Sequence, residues 1–149
     1  MNISDNLVKD LVIHELASSG KAEVLKEMVS ALKATGFEFD VEKALGVLND
    51  REKLGTTGIG DGIAIPHGKL ECLEEIVVIV GRSRDGVDFE SLDMKPCKIF
   101  FMVLAPEQGA GAHLKVLAQI SRQLKDEAFR QAFIDTNDKQ ELLNLLGVS

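Results

Sequence analysis

The sequence contains no tryptophan or tyrosine, and only three histidines and two cysteines in 149 residues. So few histidines and cysteines leave little material for a metal centre, and without Trp and Tyr the usual side chains for stacking on bases are missing. Acidic residues outnumber basic ones by 24 to 17, which gives a formal net charge of −7. Because nucleic-acid affinity comes largely from Lys and Arg contacts with phosphates, we expect neither a metal nor a nucleic-acid partner.

Long apolar runs are also missing, since none reaches the length of about 18 residues that a membrane span requires. The first ten residues carry charges where a signal peptide needs an apolar run. Cys72 and Cys97 are far apart and form no CxxC pair, which favours two reduced thiols over a disulfide. These features predict a cytoplasmic protein without direct membrane insertion.

Length and the even spread of apolar residues predict one domain over residues 1–149, with no repeat or linker. Apolar residues at helical spacing predict helices over 21–35, from a cap at Asp40 to about Arg51, and over 114–124, with shorter ones near 129–133 and 141–146. Compact apolar runs predict strands over 12–16, 76–80 and 98–105. This alternation predicts an α/β sandwich in which helices flank a mixed central β-sheet.

A glycine-rich segment over residues 55–68 holds five glycines, two threonines and a proline, and we interpret it as an irregular loop. It ends in Pro66-His67-Gly68. An imidazole has an ordinary pKa of about 6.5, so part of it is neutral at cell pH and can carry a phosphoryl group on nitrogen. Glycines would leave room for that group and offer backbone N–H donors to its oxygens.

Two nucleotide-binding motifs fail in this segment. A P-loop needs four residues between its glycines and a hydroxyl after its lysine, but five residues separate Gly62 from Gly68, and Leu70 follows Lys69. The dinucleotide pattern GxGxxG fails at its last position, which is Ile63 or Ile65. No cofactor is expected, so the phosphoryl donor would be another molecule, such as a phosphorylated protein.

Several motifs together resemble one known family. They are Arg51-Glu52-Lys53-Leu54, Thr56-Thr57-Gly58-Ile59-Gly60, Gly62-Ile63-Ala64-Ile65-Pro66-His67-Gly68, Gly86-Val87-Asp88-Phe89, Ser91-Leu92-Asp93 and the region 106–114. This pattern, which covers essentially the whole chain, is similar to the IIA type-2 domains of the bacterial phosphoenolpyruvate-dependent sugar phosphotransferase system. The resemblance implies a mixed sheet between helices.

Site residues follow from this resemblance. His67 takes the place of the phosphorylated histidine, His113 that of a second active-site histidine, and Arg51 that of an arginine near the phosphoryl group. The resemblance also implies a phosphotransferase component that is phosphorylated by the phosphocarrier protein HPr and passes the group to a IIB domain, which phosphorylates the incoming sugar.

Physical roles can be assigned to these residues as hypotheses. A guanidinium at Arg51 suits bidentate binding of phosphate oxygens. His113, near a helix N-terminus, is expected to hydrogen-bond the phosphoryl oxygens or His67. Ile63, Ile65 and Leu114 are expected to form an apolar rim that excludes water and docks a carrier.

Ordinary structural roles compete with these. On the residues alone, His67 could serve only packing, His113 could be a solvated or capping residue, and Arg51 could compensate a helix dipole. For three other polar residues the structural interpretation is preferred: a strand residue at His14, a turn residue at Asp61 and a solvated lysine at Lys69.

Three functions remain open. The leading one is sugar transport of the fructose and mannitol type, which residues 81–88 resemble. The second is regulation, because the run from His67 to Glu71 looks like that of nitrogen-type IIA proteins, whose phosphorylation would control binding to transporters, kinases or transcription regulators. The third, a domain used only for binding, is disfavoured because Arg51, His67 and His113 are all present.

Overall fold

A six-stranded mixed sheet organises the computed structural model, which describes residues 3–148. Its strands are β1 Val12–Ile13, β2 Gly58–Gly60, β3 Ile63–Ala64, β4 His67–Leu70, β5 Val77–Val87 and β6 Cys97–Pro106. The α-helices of this part of the chain are α1 Lys21–Ala34, α2 Val41–Lys53, α3 Ala110–Gln123, α4 Glu127–Asp135 and α5 Lys139–Leu146. Of the predicted domain and the charged N-terminal stretch, Met1, Asn2 and Ser149 lie outside the described residues.

The strand order is β1-β5-β6-β3-β2, and β4 also pairs with β6. β5 and β6 form the antiparallel centre, and β1 is parallel to β5. β3 and β4 both run parallel to β6, with Ala64 opposite Phe100 and His67 opposite Val103. They therefore occupy one side of β6 in succession, as two parts of an interrupted strand.

Alternate residues of β6 face opposite sides of the sheet, as the period of two in a strand requires. Ile99, Phe101 and Val103 belong to a core with α3, α4 and α5, whereas Phe100 and Met102 belong to a core with α1 and α2. The predicted sandwich with a mixed sheet between helices is therefore confirmed. Among the described residues, no helix is both long and apolar enough to cross a bilayer.

The predicted helices agree with the structure within a few residues. Asp40 accepts hydrogen bonds from the backbone N–H groups of Glu42 and Lys43, which is the expected N-cap geometry. α2 ends two residues later than predicted, and α3 begins four residues earlier. His113 consequently lies inside the first turn of α3 instead of just before the helix.

The interpretation of residues 55–68 as an irregular loop is wrong, because they contain β2, β3 and the start of β4. β2 and β3 form an antiparallel hairpin whose two turn residues, Asp61 and Gly62, both have positive φ. This is the signature of a type I′ turn, for which an Asp-Gly pair is a favoured sequence. The predicted turn role of Asp61 is confirmed.

Candidate functional site

His67 is the first residue of β4, directly after the break that separates β3 from β4 alongside β6. The break falls at Ile65 and Pro66, since proline has no N–H to donate to the sheet. Pro66 still accepts a bond from the Val103 N–H at 2.9 Å, but the Ile65 N–H turns away from β6 and donates to the Thr57 carbonyl at 3.1 Å. The Ile65 carbonyl is thereby left for a side chain.

The imidazole of His67 is held by one hydrogen bond at each ring nitrogen. Nδ1 lies 2.8 Å from the Ile65 carbonyl oxygen, and the Arg51 Nε lies 3.3 Å from Nε2. Because a carbonyl only accepts and a guanidinium only donates, both contacts require the proton on Nδ1 and a lone pair on Nε2. The surroundings therefore specify the tautomer in which Nδ1 carries the proton and Nε2 the lone pair.

Arg51 reaches His67 because α2 lies very close to β4. An ideal Cβ on Gly68 would be only 2.4 Å from Cγ1 of Val47, which stands one helical turn before Arg51 on the same face of α2. The same guanidinium donates through Nη1 to the Gly55 carbonyl at 2.9 Å. The glycine at position 68 thus makes room for the helix rather than for a phosphoryl group.

His113 brings a second imidazole from the opposite side of the sheet. Its ring centroid is 5.7 Å from that of His67, and the two planes are inclined by 70°. The residue is 7% exposed, and among the described residues its Nε2 is buried without a hydrogen-bond partner. Burial lowers the pKa of His113, and the nearby Lys69 ammonium and any positive charge that forms on His67 lower this pKa further. The neutral ring is therefore favoured.

The structure thus brings the three candidate residues Arg51, His67 and His113 together, from α2, β4 and α3. Lys69 is exposed on β4, as predicted for a solvated lysine. The predicted strand over 12–16 is too long, because β1 ends at Ile13 and His14 lies just after it. His14 accepts a hydrogen bond from Arg82, in keeping with a structural role. No cluster of three or more His, Cys, Asp or Glu side chains with metal-binding geometry occurs among the described residues.

The predicted apolar rim is wrong in two of its three members. Ile63 and Ile65 are 4% and 6% exposed, because they lie on the strand face that packs against α3, α4 and α5. Leu114 is 66% exposed as expected, and Leu54, which the sequence did not single out, is 85% exposed. Leu54 follows Arg51 by three residues, so an apolar residue at this helix end was the signal that could have identified it.

A family comparison adds an independent observation to this geometry. Residues 6–147 match the model of the family described as the phosphoenolpyruvate-dependent sugar phosphotransferase system, EIIA 2. The chain belongs to this family. EIIA domains are phosphotransfer components of the system, so the chain is a phosphotransfer domain with relatives of both the sugar-transport and the nitrogen-regulatory kind.

The relatives of this EIIA domain illustrate both kinds. A nitrogen regulatory protein of Bradyrhizobium diazoefficiens is 41% identical over 150 residues, covering 99% of this chain and 96% of the relative. The fructose-specific EIIABC component of Bacillus subtilis is 34% identical over 99% of this chain, which spans only 23% of that larger protein.

Solved structures give the same fold. The nitrogen regulatory protein IIA-Ntr of Neisseria meningitidis matches with a TM-score of 0.88 and 27% identity, covering 97% of this chain and 98% of that one. The mannitol IIA enzyme of Escherichia coli, solved in complex with phosphorylated mannitol IIB, matches with a TM-score of 0.78 and 23% identity over 95% and 96% of the two chains. At that identity the second match supports the fold alone.

Proposed function

We propose that Nε2 of His67 accepts a phosphoryl group from a histidine-phosphorylated carrier of the HPr type and passes it to a partner protein. The observation that carries this proposal is the fixed tautomer of His67, in which the Ile65 carbonyl holds the Nδ1 proton and the Nε2 lone pair faces Arg51. A neutral imidazole with a defined lone pair is what nucleophilic attack on phosphorus requires.

In the transfer step, the Nε2 lone pair of His67 forms a bond to phosphorus while the bond from phosphorus to the donor nitrogen breaks. The electron pair of the broken bond returns to the donor's imidazole, so no water, metal or nucleotide takes part. The His67 ring gains positive charge as the new bond forms. Its Nδ1–H then donates a stronger hydrogen bond to the Ile65 carbonyl, which stabilises the phosphorylated ring.

Arg51 and His113 stabilise the phosphoryl group in this proposal. Once the Nε2 lone pair is used, the Arg51 Nε loses its acceptor and becomes available to a phosphoryl oxygen. His113 has a buried Nε2 that lacks a partner among the described residues, and a phosphoryl oxygen would provide one. The N-terminal end of α3 adds a favourable potential for the anion, because His113 lies in its first turn.

Partner docking is assigned to the exposed apolar side chains next to these residues in sequence. Leu54 directly follows the end of α2, three residues after Arg51, and Leu114 follows His113 on α3. A carrier that covers such residues would exclude water from a phosphoryl group in transit. The proposal also assigns the domain to the cytoplasm, where its donor and acceptor proteins would act.

The acceptor in the leading form of the proposal is a IIB domain, which would phosphorylate a sugar during uptake. Support comes from the 34% identity to the fructose-specific EIIABC component of Bacillus subtilis along 99% of this chain. A second candidate is regulation, in which the phosphorylation state of His67 controls binding to a target protein. The specific observation in its favour is the 41% identity to a nitrogen regulatory protein along nearly the full length of both chains.

Phosphorylation itself is tested by incubating the chain with phosphoenolpyruvate, enzyme I and HPr, followed by intact-mass analysis. We expect one acid-labile phosphoryl group on the wild type and none on His67→Ala, because the ring nitrogen is the only attachment point proposed. His14→Ala is the matched control and should be phosphorylated like the wild type. Labelling of His67→Ala to the wild-type level, or an unlabelled folded wild type with active carriers, contradicts the proposal.

The two acceptors are separated by adding purified IIB domains to the phosphorylated chain. Loss of the phosphoryl group to a IIB domain supports sugar transport. Retention with every IIB domain tested, together with a target protein that binds only one phosphorylation state, supports regulation.

A further inference from the structure

Glu52 is a buried carboxylate next to Arg51 that the proposed transfer does not use. Its side chain is 6% exposed, and its Oε1 accepts a hydrogen bond from the Thr57 N–H at 2.9 Å. The Thr57 hydroxyl donates to Oε2, and the Lys21 Nζ lies 3.0 Å from Oε1. A buried carboxylate is costly unless its oxygens are satisfied, and these three donors satisfy Glu52.

A short series of hydrogen bonds connects Thr57 to the candidate nucleophile. The Thr57 carbonyl accepts from the Ile65 N–H at 3.1 Å, and the Ile65 carbonyl lies 2.8 Å from Nδ1 of His67. Thr57 is 3% exposed, so its backbone groups depend on partners within the protein. Glu52 thus accepts hydrogen bonds from Thr57, the Thr57 carbonyl accepts one from Ile65, and the Ile65 carbonyl accepts the Nδ1 proton of His67.

We propose that Glu52 is a positioning residue that fixes the tautomer and orientation of His67 through Thr57 and Ile65. This inference rests on the proposed function of His67. It assigns consecutive residues of α2 to the two ring nitrogens: Arg51 contacts Nε2 directly, and Glu52 controls Nδ1 through two backbone links. Neighbouring helix residues point about 100° apart, which lets one helix end reach both sides of the ring.

Arg51 and Glu52 also hold the two ends of the turn that follows α2, from Gly55 to Thr57. Arg51 bonds the Gly55 carbonyl at 2.9 Å, while Glu52 binds the N–H and hydroxyl of Thr57. The turn therefore cannot shift without breaking a contact to the end of α2. A shift of this turn would therefore change the orientation of the His67 ring and the position of the Arg51 guanidinium together.

A simpler explanation is that Glu52 contributes only an ion pair with Lys21. Lys21 has alternative partners, because its Nζ lies 3.5 Å from Glu90 Oε2 and 4.8 Å from the ring centroid of Phe89. A Lys21→Met substitution would remove this ion pair while leaving both bonds from Glu52 to Thr57 intact. The two explanations therefore make different predictions for Lys21→Met.

The test compares the wild type with Glu52→Ala, Glu52→Gln and Lys21→Met in the full chain. The direct readout is the ¹⁵N chemical shift of the two His67 ring nitrogens, measured without any phosphoryl donor and assigned with His67→Ala. The second readout is the rate of phosphorylation by HPr.

In the wild type we expect a protonated Nδ1 and an unprotonated Nε2. Glu52→Ala should give a resolvable population with the proton on Nε2, and phosphorylation should slow about 10- to 100-fold, the range found for outer partners that orient metal-binding histidines. Glu52→Gln should restore the wild-type tautomer, because an amide can accept from the Thr57 N–H and donate to its hydroxyl. Lys21→Met should leave the tautomer unchanged.

The inference is overturned if folded Glu52→Ala keeps the wild-type tautomer, or if Lys21→Met alters it as much as Glu52→Ala does. Should Glu52→Ala fail to fold, Glu52→Asp decides, because the shorter side chain keeps its charge but cannot reach both donors of Thr57. A wild-type tautomer in Glu52→Asp would then count against the inference. Failure of wild-type phosphorylation would refute the proposed function only, since the ring tautomer is measured independently.

Discussion

Gly68 shows how a single residue without a side chain sets the distance between two functional groups. Val47 occupies the space that a Cβ at position 68 would need, so α2 approaches β4 closely enough for Arg51 to reach His67. The backbone φ of Gly68 is not in the left-handed region. Space rather than backbone conformation therefore explains the glycine.

A Gly68→Ala substitution should separate the Arg51 guanidinium from Nε2 of His67. The added methyl would lie 2.4 Å from Val47 Cγ1, so the helix or Val47 must move, at a cost of about 1–3 kcal/mol of stability. We expect phosphorylation by HPr to slow by about 100-fold, the effect of a misplacement of about 1 Å. Rates are measured on folded protein, with unfolding followed by circular dichroism.

Gly46→Ala is the matched control. Gly46 lies on α2 next to Val47, and an added Cβ there would have open space around it, with no atom within 4 Å. This variant should keep the wild-type rate. A double variant with Gly68→Ala and Val47→Ala should recover most of the loss. A wild-type rate in Gly68→Ala alone would show that the close approach of α2 is not needed for transfer.

The sequence could identify Arg51, His67 and His113 through their motifs, and the structure brings all three together. It could not reveal the link from Glu52 to His67, because that link runs through the backbone of Thr57 and Ile65. These backbone hydrogen bonds form only because the strand pairing with β6 is interrupted between β3 and β4. Hydrogen bonds of this kind involve no recognisable side-chain pattern, so only coordinates reveal them.

At the scale of elements, the sequence prediction missed the hairpin within residues 58–64 and ended β5 too early, at residue 80 instead of Val87. Residues 58–64 form strands too short to show an alternating pattern, although the Asp61-Gly62 pair is a known hairpin signal. Residues 81–87 continue β5, although their sequence is polar. This continuation is possible because Arg82, 1% exposed, finds enough partners to be buried within a strand.

Arg82 connects β5 to the segment after β1 and to the C-terminal end of α4. Its guanidinium donates to the carbonyls of His14 at 3.0 Å, Ile134 at 2.7 Å and Thr136 at 2.9 Å, and it pairs with Glu15 at 3.0 Å. It thereby fixes the C-terminal end of α4 against the segment that follows β1. Removing the guanidinium would leave the buried Thr136 carbonyl without this donor, which costs free energy.

Replacing Arg82 by methionine should destabilise the fold without changing the site. We expect a loss of about 1–3 kcal/mol in the free energy of unfolding, the cost of leaving buried carbonyls without their donor. Arg82 pairs with Ile99 on β6, four residues from Val103, the partner of His67, so the phosphorylation rate of folded protein should be unchanged. Urea unfolding and HPr phosphorylation measure the two quantities.

Arg84→Met provides the control for Arg82→Met, because Arg84 is exposed on the same strand. Its effect should stay within about 0.5 kcal/mol, as for most surface substitutions. Equal stability losses in the two variants would contradict the assignment of Arg82 as the connecting residue.

At the scale of the whole molecule, the two thiols differ in accessibility, so that only Cys97 reports on opening of the fold. Cys97 is fully buried in the core with α1 and α2, and burial raises its pKa to about 11, whereas Cys72 is exposed. Only the thiolate of an accessible cysteine reacts with an alkylating reagent. Both thiols are free in the structure, as the sequence indicated.

Alkylation at neutral pH should therefore modify Cys72 in the native protein and leave Cys97 unmodified until the fold opens. In a Cys72→Ser variant, the labelling of Cys97 should rise with urea in parallel with global unfolding. Mass spectrometry of the labelled protein measures both rates. Equal reactivity of the two cysteines without denaturant would contradict a closed core on this face of the sheet.

The position of His67 at the head of β4 has a consequence for how a phosphorylated form would be recognised. Its ring is anchored to the backbone beside the central strand, and its neighbours come from helices on both faces of the sheet. A phosphoryl group of about two negative charges added there would alter the local potential while leaving the surface shape nearly unchanged. A partner that distinguishes the two forms would therefore read charge instead of conformation, and its discrimination should weaken as ionic strength rises.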